Sequence, residues 1–465
     1  MNHDIIVIGA GPAGMAAAVT ASKFGAKVLL LDDQPAPGGQ VYRAVESADE
    51  RTYKILGIEY AVGRRLTQAF RSQHLIDYVP DANVWQVTDG HEVGFSSGGR
   101  ARLLRAPWII LATGAIERPF PIPGWTLPGV MMAGGAQALL KVSGLVADAA
   151  VFAGSGPLLY LVTYQYLKAG VKVAALLDTC SKSSRLEALP HVWAALSRWD
   201  MLSKGRSWMA EIRKSGTQIV NNVTELRIHG KAAVDGISYR TQKGLSQEIK
   251  TENIFLHQGV VPNVNLAMAA GIEHFWHSGQ LCWHPKIDVW GRTNVDGLVM
   301  AGDGMGIGGA EAAQATGQSA ALGCLTELGK IDAAECENQA KSVRATLARE
   351  NSIRPFLDFW FQPALHFRVP SDETIVCRCE ELTAQDIRDV IDIGIVGPNQ
   401  LKSYCRAGMG LCQGRYCGLT VQEIIGQETG REPEDIGYYR LRPPIKPILL
   451  DELAEMEADP PANEN

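Results

Sequence analysis

Three things are missing from this 465-residue chain, and each absence excludes a class of protein. There is no Cys-x-x-Cys anywhere, so the vicinal dithiol of proteins that reduce disulfides is absent. No apolar run reaches the roughly 18 residues that a membrane-spanning helix needs. Positive charge is not in excess: 44 Lys and Arg face 50 Asp and Glu, a net charge of -6. Nucleic-acid binding, which draws most of its affinity from neutralised phosphates, therefore has no basic footprint here. The opening MNHDIIVIGAG enters an apolar strand at once, without the charged and hydrophobic regions of a secretory leader, so a cytoplasmic location is expected.

What is present is ordinary in bulk and unusual in two places. A hydrophobic fraction of 46% and a charged fraction of 20% belong to a globular protein, and the length predicts two or three domains. The nine cysteines are spread unevenly, with five between Cys377 and Cys417. A disulfide framework belongs to short secreted chains, so clustered thiols in a chain of this size point to a metal. Cys180, Cys282, Cys324 and Cys336 are scattered and read as buried inert thiols.

The first glycine cluster is Gly9-Ala10-Gly11-Pro12-Ala13-Gly14. It follows an apolar strand (5–8) and precedes an alanine-rich helix (13–24) and a second strand (27–31), one βαβ unit of a parallel sheet. In G-x-G-x-x-G the first glycine permits a tight turn, and the second lets the backbone approach a pyrophosphate seated on the helix N-terminus. The third lets helix and strand lie close. Asp32, 18 positions after Gly14, ends the second strand where a carboxylate accepts hydrogen bonds from unphosphorylated ribose hydroxyls. The pattern returns once, with a strand at 149–153, Gly154-Ser155-Gly156-Pro157-Leu158-Leu159, a helix to Lys168 and a strand at 171–177. Here Leu159 stands at the third glycine position, where a bulky residue is expected to push the helix from the strand. Asp178 again suits a ribose, with Lys182 and Arg185 nearby for a phosphate. Whether this second fold holds NAD(P), another adenine nucleotide or nothing stays open at this point.

Downstream of Asp32 come Gly38, Gly39 and Gln40 in PGGQ, then Ala112-Thr113-Gly114 after a strand at 108–111. Gly302-Asp303 follow a strand at 297–300. Over residues 1–330 the series resembles the flavoproteins with two dinucleotide-binding domains, of the pyridine nucleotide-disulfide oxidoreductase type. The resemblance implies an α/β fold of two nested Rossmann-like domains: an FAD domain from 1–119 and 286–330, with a second nucleotide domain at 120–285 inserted. It implies that Gly9, Gly11, Pro12, Ala13, Gly14, Asp32, Gly39, Gln40, Ala112, Thr113, Gly114, Gly302 and Asp303 contact FAD. It also implies that a helix at 310–322 aims its N-terminus at the flavin, where its partial positive charge stabilises a reduced ring. For Asp303 the alternative is a plain turn or helix-cap carboxylate.

A connector at 331–371 is polar and helical before it becomes the aromatic, proline-punctuated IRPFLDFWFQPALHFRVP. Then come Cys377-Arg378-Cys379 and, after 32 residues, Cys412-Gln413-Gly414-Arg415-Tyr416-Cys417. Cysteine quartets hold iron–sulfur clusters. This spacing resembles the bacterioferritin-associated-ferredoxin-like domain, a small helical module at 372–450, which implies a [2Fe-2S] cluster on Cys377, Cys379, Cys412 and Cys417. Structural zinc is the alternative, although a single residue between paired ligands is short for zinc. Cys405 fits no ligand slot. The acidic tail at 451–465 is expected to be disordered.

In this order the modules resemble the A or α subunits of bacterial heteromeric amine dehydrogenases, the opine oxidase, hydrogen cyanide synthase and hydroxyproline dehydrogenase type. That resemblance implies an FAD-dependent oxidoreductase acting on CH–NH donors. An opine, imino acid or secondary amino acid would be oxidised on a partner FAD subunit like D-amino-acid oxidase, while this chain carries the electrons. It also implies an FMN at a subunit interface and a small ferredoxin-like third subunit. No catalytic residue is assigned: His257 is the nearest candidate base and reads better as structural, and Arg43 and Arg118 read equally as phosphate partners or surface residues. A self-sufficient NAD(P)H-dependent FAD/[2Fe-2S] reductase and an inactive flavoprotein with an iron-sensing module remain as rivals.

Overall fold

The computed structural model describes residues 3–456. Ile5–Ile8 and Val28–Leu31 bury every side chain, the pattern of strands covered on both faces. They lie at the centre of a five-stranded sheet in the order Leu298–Met300, Trp108–Leu111, Ile5–Ile8, Val28–Leu31, Ile76–Val79, and every neighbouring pair is parallel. The helices Pro12–Lys23 and Ala310–Glu327 cover one face. Both are rich in alanine and glycine, and their backbones touch: a Cβ on Gly317 would lie 2.1 Å from the carbonyl oxygen of Ala13. Ile6, Ile8, Leu29 and Leu31 form the other face, packed on the antiparallel strands Asn83–Val87, Glu92–Ser97 and Arg100–Arg105.

The same plan is built a second time. Gln218–Val220, Val173–Asp178, Ala150–Ser155, Ile254–Gln258 and Val130–Met132 make a second parallel sheet in that order, with its own three-stranded meander at residues 223–250. Leu159 is fully buried, in one apolar cluster with Ala133, Ala136, Leu140 and Phe152. The bulky residue at the third turn position is thus absorbed as core.

After Ala333–Asn351, capped by Asp332, the helices Arg354–Trp360 and Leu365–Arg368 lead into the cysteine module. Its hairpin Ile375–Cys377/Leu382–Thr383 and helices Ala384–Asp392, Pro398–Cys405 and Gly418–Thr429 enclose Val376, Ile387, Leu401, Val421 and Ile424. The indole N–H of Trp125 donates to the Ile375 carbonyl at 2.7 Å, and that of Trp283 to Gln422 Oε1 at 3.0 Å, so the module is hydrogen-bonded to the body. The chain then returns to the first fold: the Ile445 N–H donates to the Trp85 carbonyl at 3.0 Å, and Lys446 pairs with Asp33 at 3.2 Å.

The disorder expected from residue 451 on is corrected for its first part. Leu450–Ala454 is a helix with Asp451 and Glu452 in its first turn, where acidic groups favour the helix dipole, and Glu455 pairs with Arg100 at 3.3 Å. Residues 457–465 lie outside the described residues. Among the described residues no helix is long and apolar enough to cross a membrane.

Candidate functional site

The motif residues of the first fold, far apart in sequence, meet at the carboxyl end of its sheet. A Cβ on Gly9 would lie 2.4 Å from the Ala112 carbonyl oxygen, and one on Gly14 would lie 1.8 Å from that of Gly9. Gly39 approaches Gly11, where a Cβ would come within 2.8 Å of the Gly11 Cα, and a Cβ on Gly302 would meet that of Ala13 at 2.7 Å. Helix Pro12–Lys23 begins at Gly11 with no side-chain cap, so its first N–H groups are free for an anion. The result is a cradle of close backbone approaches at a helix N-terminus.

Asp32 is buried, 6% exposed, and its Oδ2 has no hydrogen-bond partner. Burial, opposed by the Ala10 backbone and reinforced by Asp33, pushes its carboxyl up to about 7. A buried carboxylate with one orphaned oxygen at the end of the second strand fits a ribose whose hydroxyls would satisfy it. Asp303 uses Oδ1 to accept the N–H groups of Gly308 and Gly309 at 2.9 and 3.0 Å, a turn role that shapes the entry to helix Ala310–Glu327. Asp303 also lines a cavity of about 430 Å³ with Gly302, Ala312 and Thr316.

Gln40 is exposed, and its backbone is held from the second fold. Lys141, on helix Ala133–Ser143, donates Nζ to the carbonyls of Gln40 and Val41 at 2.9 and 3.0 Å. Burial pulls this ammonium down to about 7. Lys141 belongs to no motif; a lone lysine in the apolar helix segment LLKVSG is its one signal in the sequence.

Thr113 Oγ1 donates to the Asn263 carbonyl at 3.2 Å, and the Asn263 N–H donates to the Gly114 carbonyl at 3.0 Å. Two residues on, Asn265 Nδ2 donates to the Gln413 carbonyl at 2.8 Å, beside Cys412. Cys377 and Cys417 are buried, Cys412 is partly buried and Cys379 is exposed. Cys377 lies near Cys417 and Cys379 near Cys412, and the Cys417 thiol is 4.0 Å from the Tyr439 hydroxyl. Among the described residues no three His, Cys, Asp or Glu side chains converge as a single ion would need. Cys405 donates to the Leu401 carbonyl within its own helix.

The remaining candidates are structural in position. His257 is buried with Nδ1 2.6 Å from Glu117 Oε1, and its ring packs under Gly156. Arg118 is not on the surface: it is 5% exposed and donates to the carbonyls of Gln280 and Leu281 at 2.9 and 2.6 Å. Arg43 is half-buried, and its Nε has no partner.

Two family models match the chain: pyridine nucleotide-disulphide oxidoreductase over residues 3–319 and the sarcosine oxidase A3 domain over 371–456. The A-type opine oxidase chain of Agrobacterium tumefaciens (strain Ach5) is 44% identical, the match covering 98% of this chain and 92% of the relative. Hydrogen cyanide synthase subunit HcnB of Pseudomonas aeruginosa is 31% identical over 96% and 97%. The solved L-proline dehydrogenase of P. horikoshii shares the fold, with a TM-score of 0.69 at 19% identity over 97% of this chain and 79% of that one. A family match over the cradle and the opine oxidase likeness along nearly the whole length agree: the chain is an FAD-dependent oxidoreductase of the pyridine nucleotide-disulphide oxidoreductase family and belongs with the A-type chains of the opine oxidases.

Proposed function

We propose that this chain is the electron-transferring subunit of a heteromeric dehydrogenase or oxidase, carrying FAD in the first fold and a [2Fe-2S] cluster on Cys377, Cys379, Cys412 and Cys417. Its substrate, an opine, imino acid or secondary amino acid, is oxidised on a partner FAD subunit similar to D-amino-acid oxidase. The observation that carries this reading is the short segment Asn263–Asn265, hydrogen-bonded at one end to Thr113 and Gly114 of the cradle and at the other to Gln413 in the cysteine loop. A cradle and a thiol cluster joined by three residues suit a relay.

In this reading Asp32 accepts the ribose hydroxyls, and the backbone of Gly9, Gly11, Pro12, Ala13 and Gly14 with the helix N-terminus holds the pyrophosphate. Gly39, Gln40, Ala112, Thr113, Gly114, Gly302 and Asp303 surround the remainder. When bound, FAD supplies two-electron acceptance with one-electron release, and the cluster supplies one-electron transfer. The single residue between Cys377 and Cys379 is short for a zinc ligand pair, which favours an iron–sulfur cluster over structural zinc. The proposed domains are 1–119 with 286–330, 120–285 and 372–450, the last a ferredoxin-like module, although Leu266, Ala267, Ala270 and Ile272 of the inserted range pack in the core of the first fold. An FMN at the subunit interface, a small ferredoxin-like third subunit and a cytoplasmic location complete the proposal.

The purified chain should release FAD on denaturation and contain iron and acid-labile sulfide in equal amounts. It should leave opines and proline derivatives unoxidised until the partner subunit is added. Turnover of either substrate by the chain alone overturns the division of labour, and zinc in place of iron overturns the cluster.

A further inference from the structure

The family name implies a pyridine nucleotide, and the second fold is where one would bind. The residues there do not fit it. We infer that the second nucleotide fold takes no nicotinamide nucleotide, because the chain's own connector, residues 354–361, is docked in its place.

The contrast with the first fold is direct. Asp32 keeps an unpartnered oxygen, whereas Asp178, the corresponding acid, has both oxygens engaged: Oδ1 accepts from the Cys180 N–H and Oδ2 from Arg185 Nη2, each at 2.8 Å. The Asp178 side chain is 3% exposed. Arg185, a candidate phosphate partner on sequence grounds, is thus bound to the acid that would hold the ribose, and its guanidinium lies 5.6 Å from the centre of the Trp360 ring. Ser155, in the middle of the glycine turn, donates Oγ to the Phe361 carbonyl at 3.2 Å. Tyr160, in the first turn of the following helix, packs on the Phe361 ring at 6.0 Å, and Phe359 stacks on His191 at 5.1 Å. The connector therefore crosses the turn, the helix start and the acid that a dinucleotide would contact along the carboxyl edge of the sheet.

A nicotinamide nucleotide entering here would have to displace Phe361 from Ser155 and free Asp178 from its ion pair with the part-buried Arg185, leaving a buried carboxylate uncompensated. The other side of the same connector walls the cavity beside Asp303 through Arg354, Pro355 and Asp358. The second fold thus works as an anchor for that wall. The inference does not depend on the relay reading, since it concerns only which groups already fill the second site.

Amide hydrogen exchange on the full chain loaded with FAD tests it. NADH and NADPH at about 1 mM, the upper end of ordinary cofactor affinities, should leave exchange at 154–160 and 354–361 unchanged and should not bleach the flavin. The double variant Arg185→Ala, Trp360→Ala should exchange at least about tenfold faster over 354–361, as expected when a docked segment is released. Protection of 154–160 in the wild type by either nucleotide overturns the inference, as does a double variant whose 354–361 exchange is unaltered. Any binding that Asp32→Asn abolishes and Asp178→Asn leaves intact belongs to the first fold and supports it, whether or not FAD proves to be the resident cofactor.

Discussion

Replacing Asp32 by asparagine should stabilise the cofactor-free chain and weaken cofactor binding, two effects of opposite sign from one group. In the folded chain burial raises this carboxyl from its ordinary 3.8 to about 7. A folded-state value above the unfolded one means that the native protein holds this proton more tightly. The contribution of the group to stability is therefore full below pH ~4, falls as the pH rises, and levels off above pH ~7. At ~1.4 kcal/mol per tenfold change in proton affinity, the gap corresponds to about 4 kcal/mol of destabilisation at pH 8. Asp32→Asn removes most of it, so the cofactor-free variant should be the more stable protein at pH 8 and close to wild type at pH 4. With FAD the sign reverses. Hydrogen bonds from ribose hydroxyls to a charged acceptor contribute roughly 1.5–3 kcal/mol, so the variant should bind FAD about ten- to a hundredfold more weakly. Denaturant titrations of the cofactor-free proteins at both pH values, with flavin fluorescence titrations beside them, measure the two terms. An Asp32→Asn protein less stable than wild type at pH 8, or one with unchanged FAD affinity, refutes the reading of Asp32 as a carboxylate held unsatisfied for a ribose.

Gly317→Ala should cost about 3 kcal/mol or more, read as a fall in Tm, because its Cβ would sit 2.1 Å from the Ala13 carbonyl oxygen and the two helices must part. Gly205→Ala, in an open stretch of helix Trp199–Lys214, should instead stabilise by about 0.5–1 kcal/mol. Leu159→Ala should lose about 2–5 kcal/mol in denaturant titrations, since the side chain is fully buried in the second fold. Cys412→Ser should abolish the iron–sulfur absorbance, while Cys405→Ser should keep it; loss in both would place Cys405 among the ligands.

The glycine turns were legible because a close backbone approach demands glycine at particular spacings, and those spacings are local. Gly9, Gly11, Gly14 and Asp32 could be read directly, and so could the cysteine spacing 377–379–412–417. The acidic end of the chain misled, because composition alone does not reveal that Asp451 and Glu452 fall in the first turn of a helix or that Arg100 waits for Glu455.

What the sequence by itself determined is the chemistry available at each turn: two strand–glycine–helix units, each ending in an acid, and four thiols at fixed spacing. Only the tertiary structure decided that one oxygen of Asp32 stays unpartnered while Asp178 is satisfied by Arg185 and the Cys180 N–H, that Lys141 reaches back to Gln40, and that Phe361 settles on Ser155. The physical reason is separation along the chain. Lys141 and Gln40 stand 101 residues apart, and Ser155 and Phe361 stand 206 apart. Neither contact leaves a periodic or local trace, because each forms only when two independently built units are brought face to face.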